Sequence, residues 1–113
     1  MSDMDSLILK TVIKYTDEAA EIIEANNLTL DSFLASVVYR NALSMSVFQA
    51  TEYANKLSKT LKNKHDQVDW QAMSGMRNRI AHGYDGVDFE YIWTAATEYL
   101  PELKTYCEQI LSS

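Results

Sequence analysis

The chain has 113 residues, 47% of them hydrophobic, with three Gly, one Pro, one Cys and a formal net charge of −6. This composition argues against disorder and excludes an intramolecular disulfide, and it suits one packed helical domain over residues 1–113, near the size at which a partner subunit helps. The acidic balance gives no broad attraction for nucleic acid, and no apolar run approaches the roughly 18 residues that span a bilayer, so a cytoplasmic protein without membrane contact is expected.

From about residue 5 to 25, Ile8, Val12, Tyr15, Ala19, Ile22 and Ile23 recur at helical spacing, with Lys10, Lys14, Asp17, Glu18, Glu21 and Glu24 on the other side. Asn26-Asn27 should end this helix. Thr29 or Asp31 can cap a second, which has no Gly or Pro before about residue 61 and carries Leu34, Val37, Val38, Met45 and Phe48 as its stripe. After the polar connector at 62–66, a third helix is predicted from near Asp69, with Trp70, Met73, Ile80 and Ala81 on one face. Gly83 is placed to stop it, and Asp85-Gly86 to turn the chain. Asp88 can cap a last helix bearing Phe89, Ile92, Trp93, Ala96, Leu100, Leu103, Cys107 and Ile110, with a kink or short break expected at Pro101. The pattern predicts an all-α, antiparallel, up-and-down bundle of four helices, or five if Pro101 divides the last.

Two charges fall on apolar stripes. Arg77 lies about 20° around the third helix from Trp70, and Glu52 shares the direction of Leu34 in the second. An unpaired buried charge costs several kcal/mol, so the two should meet in an ion pair, face a polar cleft, or do both. Arg77 belongs to the stretch Arg77-Asn78-Arg79-Ile80-Ala81-His82-Gly83-Tyr84. It joins a permanent cation, a titratable imidazole and a phenol, which together can hold a phosphate and move a proton. Five residues of regular helix separate Arg77 from His82 by about 140°, so they converge only if the helix loosens at Gly83 or a second copy brings its own residue alongside. Ser74, Asn78 and His82 form an i, i+4, i+8 line that lets Asn78 orient the imidazole. A lone His at a helix end also serves as a cap, and Tyr84 could equally pack into the core.

The spacing Arg77, four residues, His82, one residue, Tyr84, with polar Asn78 after the Arg, resembles the motif of the HEPN domains, and among them the HepT-like toxins. The flanks Val68-Asp69-Trp70, Gly75-Met76-Arg77-Asn78, Val87-Asp88, Trp93 and Leu100-Pro101 match as well, with weaker similarity back through Thr29-Leu30-Asp31-Ser32-Phe33-Leu34, Asn41-Ala42, Glu52 and Leu57-Ser58. One departure stands out. The family tends to have Gly-Glu-Ala where this chain has Thr51-Glu52-Tyr53, which bears on packing beside Glu52.

The resemblance implies an HEPN-like bundle acting as a homodimeric, metal-independent endoribonuclease toxin. Arg77 would bind the scissile phosphate and His82 would act as general acid or base, with Asn78 and Glu52 in support. Attack by the RNA 2′-hydroxyl would leave DNA uncut. Tyr84 is implied as the residue to which a cognate nucleotidyltransferase antitoxin adds AMP, placing negative charge beside Arg77. The alternative is a non-catalytic helical subunit that presents a nucleotide or substrate to such a nucleotidyltransferase. No cofactor is expected, and His65, His82 and Cys107 are too scattered to make a metal site. Lys56, Lys59, Lys62 and Lys64 form the basic cluster of the sequence, read as a solvated helix end or as a guide for RNA or the acidic partner.

Overall fold

In the computed structural model of the protein, residues 1–81 and 86–113 are described, and every regular element among them is helical. The first helix, α1 (Asp3–Ala25), starts where Ser2 Oγ accepts the Asp5 N–H at 3.0 Å. It ends at the predicted Asn pair. Asn27 takes a left-handed φ of 49°, which lets Asn27 N–H reach Glu24 O (3.2 Å) and Leu28 N–H reach Ile23 O (2.9 Å). Those two bonds close the helix end as a glycine would, a conformation that Asn tolerates better than other side chains.

The long second helix is a correction. It is three pieces: α2 (Leu30–Ala35), α3 (Val37–Asn55) and α4 (Lys59–Lys64). Each begins on a hydroxyl: Thr29 in a reciprocal capping box with Ser32, Ser36 accepting Tyr39 N–H at 3.2 Å, and Ser58 accepting Leu61 N–H at 3.1 Å. Ser36 is extended (φ −116°, ψ 118°), so helical phase is lost there. The apolar stripe counted through that point is therefore wrong for α3. Val38 and Met45 are 68% and 58% exposed, whereas Leu43, Val47, Ala50 and Ala54 face the core.

α5 (Trp70–Ala81) follows, then α6 (Phe89–Thr94), a π-helical turn (Ala95–Tyr99) and α7 (Leu100–Ser112) as one continuous rod. Asp88 caps α6 as predicted, its Oδ1 accepting Tyr91 N–H at 3.1 Å. The kink expected at Pro101 is this π turn. Pro101 has no N–H and its ring crowds the carbonyl four residues back, and Leu100 N–H instead reaches Ala95 O, five residues back. The stripe Ile92, Ala96, Leu100, Leu103, Cys107 and Ile110 stays buried across the turn.

Cross-pairs fix the helix directions. Tyr39 OH donates to Asn26 Oδ1 at 3.3 Å at one end of the α1–α3 pair, and Ser58 binds Asp5 at the other. Lys104 Nζ bonds Asp17 Oδ1 at 2.6 Å, while Ile110 and Ser113 share a cavity with Met1 and Ser2. Arg77 meets Glu52, and Ile80 and Ala81 share a groove with Met45 and Phe48. The helices of each of these pairs run antiparallel, so the predicted all-α up-and-down bundle is the fold. Phe33 pins the short α2 to it, packing edge-on to Phe89 (centroids 6.2 Å apart) and against Trp93 (5.4 Å).

Asp5 is the one buried carboxylate of the described residues, and it ties the α1 start to the α3–α4 junction through Ser58 N (3.0 Å) and Ser58 Oγ (2.5 Å). Burial is the largest single influence and raises its pKa, but the bonds from Ser58, aided by Ser2 and the chain amine, outweigh it and leave the carboxyl below its ordinary value. A depressed carboxyl pKa stabilises the fold above the unfolded value near 3.8 and loses that contribution as pH falls through the folded value. Asp5→Asn should therefore cost about 1–2 kcal/mol at pH 7. Denaturant titrations from pH 7 down to 3 should show wild type losing more stability than Asp5→Asn below about pH 4; equal losses would contradict this assignment.

Candidate active site

α5 lies on the outside of the bundle against α3. Trp70 Nε1 donates to His65 O at 2.9 Å and Asp69 Oδ1 accepts Ala72 N–H at 3.0 Å, which fixes the first turn. Met76 is its one fully buried residue; Trp70, Met73 and Ile80 are half-buried. A helix held on so narrow a stripe leaves its flank open, and Arg77 stands on that flank.

The predicted ion pair is present. Arg77 Nε donates to Glu52 Oε2 at 2.5 Å and Nη2 to Oε1 at 3.4 Å, while Nη1 donates to Asn78 Oδ1 at 3.1 Å. The side chains are 27% and 23% exposed, so the pair sits at a half-open seam between α3 and α5, not in the hydrocarbon core. Glu52 is on the flank that also carries Met45, because the α3 core face is turned away from it. Its carboxyl is held below the usual range first by the Arg77 hydrogen bonds, then by the Arg77 and Lys56 charges, with burial opposing. It is therefore ionised at neutral pH, and its two oxygens fix the plane of the guanidinium.

The residues beside Glu52 that depart from the family pattern point elsewhere. Thr51 is fully buried and its Oγ1 donates to Phe48 O at 2.9 Å. Tyr53 stacks on Tyr15 of α1, ring centroids 5.9 Å apart. Neither side chain lies across the Arg77–Glu52 pair.

A second cluster was not anticipated from the sequence. Arg79 Nη2 bonds Asp88 Oδ2 at 3.0 Å, and its guanidinium carbon lies 3.8 Å from the centre of the Tyr91 ring. The Tyr91 phenol is pushed above its ordinary value by burial, against the pull of Arg79. Asp88 thus caps α6 and bridges back to α5, joining the chain on the two sides of residues 82–85. Nothing in the spacing of Arg79 and Asp88 signals this; it depends on how α5 and the start of α6 are placed relative to each other.

His82, Gly83, Tyr84 and Asp85 lie outside the described residues. The expected convergence of Arg77 with His82, the Gly83 helix stop, the Asp85-Gly86 turn and the Tyr84 hydroxyl fall there. Of the expected site residues, Arg77, Asn78 and Glu52 are brought together by hydrogen bonds. Chemically they amount to a planar cation of fixed orientation in a half-open seam, five residues before the titratable imidazole in the chain. No helix among the described residues is long and apolar enough to cross a membrane.

Residues 13–110 match the family model described as "Ribonuclease HepT-like". The chain is 29% identical over 90 residues to "Putative RNase TTE0752" of Caldanaerobacter subterraneus subsp. tengcongensis, covering 80% of each chain. It is 24% identical over 103 residues to "Putative RNase MJ1216" of Methanocaldococcus jannaschii (91% of this chain, 84% of the relative). A third relative is "Probable ribonuclease HepT" of Thermococcus cleftensis, 28% identical over 105 residues (85% and 92%). No solved structure matches the chain significantly.

Proposed function

The chain belongs to the HepT-like ribonuclease family, and we propose that it is a metal-independent endoribonuclease, the toxin of a toxin–antitoxin pair, acting as a homodimer in the cytoplasm. The observation that carries this reading is the Arg77 guanidinium, oriented on two nitrogens by Glu52 and on the third by Asn78 at a half-open seam.

Arg77 holds the scissile phosphate and stabilises the charge that builds on its oxygens as the 2′-hydroxyl of the preceding ribose attacks. His82, whose ordinary pKa near 6.5 suits proton transfer at neutral pH, takes the proton from that hydroxyl or gives one to the leaving 5′ oxygen. A 2′,3′-cyclic phosphate and a free 5′-hydroxyl result, and DNA, lacking the nucleophile, stays whole. Asn78 and Glu52 are positioning residues acting through Arg77. Val38, Met45 and the groove lined by Phe48, Ile80 and Val87 offer a second copy an apolar face beside the seam, which supports the dimer. A second copy also answers the helical geometry that keeps Arg77 and His82 of one regular helix apart.

Tyr84, two residues after His82, is the acceptor for AMP from the cognate nucleotidyltransferase. Each AMP brings a phosphate that competes with RNA for Arg77. The test has two parts. Unmodified protein incubated with single-stranded RNA in EDTA should cut it; absence of cleavage there would favour the other reading, a subunit that presents substrate to a nucleotidyltransferase. Protein co-expressed with that enzyme should gain whole AMP units in its intact mass, and Tyr84→Phe should remove them. Unchanged additions on the Phe variant would place the modification elsewhere.

A further inference from the structure

Seven lysines occur in the chain, and four of them lie at 56, 59, 62 and 64, a stretch with no Asp or Glu between Glu52 and Asp66. The fold places this stretch at the end of α3 that bears Glu52. Lys56 is one turn beyond Glu52, close enough that its charge helps hold that carboxylate ionised, and its Nζ lies 4.9 Å from the centre of the Tyr53 ring. Ser58 then starts α4, and Lys62 Nζ donates to Asn55 O at 3.2 Å, fastening α4 to the end of α3. Lys56, Lys59 and Lys64 are exposed. Of the acidic groups near them, Glu52 is taken up by Arg77 and the Asp5 carboxylate by Ser58, while Asp66 follows Lys64 by two residues at the far end of the stretch from Lys56 and Lys59.

We infer that Lys56 and Lys59, with Lys62 behind them, form a phosphate track leading away from Arg77, which holds the backbone of single-stranded RNA on one side of the scissile bond. The inference rests on the ribonuclease reading above for the occupant of Arg77. A protein of net charge −6 repels a polyanion at long range, so a bound strand needs local cations beyond one guanidinium. Lysines serve here as mobile point charges that accept any base sequence, since the contact is to phosphate alone. The track begins one helical turn from the Arg77–Glu52 pair and has no exposed apolar side chain within it, which suits a nucleic-acid backbone better than a folded protein partner.

The test compares Lys56→Gln/Lys59→Gln with Lys10→Gln/Lys14→Gln, which removes the same charge from exposed positions on α1. Fluorescence anisotropy of a labelled single-stranded RNA is read from low to physiological salt. Each phosphate contact on a single strand contributes about 0.7 to the slope of log affinity against log salt, so the first variant should lose about 1.4 and the second nothing. Equal slopes in both variants, or equal losses, overturn the track, as does failure of wild type to bind RNA at low salt. Cleavage by wild type is scored separately. Cutting without a slope change rejects the track and keeps the nuclease; a slope change without cutting keeps an RNA surface and rejects the nuclease.

Discussion

Arg77→Ala and His82→Ala are each expected to lower the rate of RNA cleavage by about a thousand-fold, within the roughly 10²–10⁴ range that one charge-stabilising donor or one proton-transfer group supplies. Arg77→Lys should recover little of it. Lysine keeps the charge but cannot present two N–H groups to Glu52 and a third to Asn78 in one plane, so the cation loses its fixed orientation. Glu52→Gln separates orientation from charge: it can still accept from Arg77 but no longer fixes the guanidinium as a carboxylate does. It should lower kcat by about ten-fold while leaving KM within a factor of two, a split that loss of a structural contact alone would not produce. Melting curves of all four variants establish that the fold survives. Full activity in Arg77→Lys, measured as single-turnover cleavage, would mean that charge alone matters and that the Glu52 geometry is incidental.

Phe33→Ala should be the most damaging substitution outside the site. Phe33 is fully buried, and its ring supplies the contacts of α2 with Phe89 and Trp93. Removing a buried phenylalanine side chain costs about 3–5 kcal/mol, here divided between lost burial and the cavity left beside Trp93. That is a fall of roughly 10–20 °C in melting temperature for a chain of this size. A six-residue helix has almost no stability of its own, so α2 persists by this anchor and by the Thr29–Ser32 capping box. Calorimetry of Phe33→Ala showing a loss below about 1 kcal/mol would mean that α2 is held by something else.

How far the fold was legible follows from where phase is kept. α1 and the last rod could be read because their stripes run without a reset; even Pro101 only inserts a π turn and leaves Leu100, Leu103 and Cys107 buried. The second predicted helix failed because its breaks are made by serines, not by Gly or Pro. Ser36 and Ser58 leave the helix by capping the next one, yet Ser44 and Ser46 sit inside α3 with the same side chain. A hydroxyl signals a possible start, and tertiary contacts, such as those of Ser58 with Asp5, decide which are used. The lost phase then put Val37, Val38 and Met45 on a core face they do not occupy.

The Arg77–Glu52 pair was legible for a reason that survives this error. Two opposite charges displaced from the polar faces of neighbouring helices have few partners other than each other. Their depth was not legible, because it depends on how shallowly α5 rests on α3, which Met76 and the half-buried Trp70, Met73 and Ile80 set together. The link from Arg79 to Asp88 was hidden in the same way. By contrast, Lys56 beside Glu52 could have been found from its i, i+4 spacing.

The decisive measurement uses a DNA oligonucleotide carrying one ribonucleotide, incubated with the unmodified protein in EDTA and resolved by mass spectrometry. A cut solely after that ribose, leaving a 2′,3′-cyclic phosphate and a 5′-hydroxyl, and absent with His82→Ala, is what an oriented guanidinium working with one imidazole must give. Scission at the deoxy linkages, or activity that returns only with added divalent cation, would contradict it.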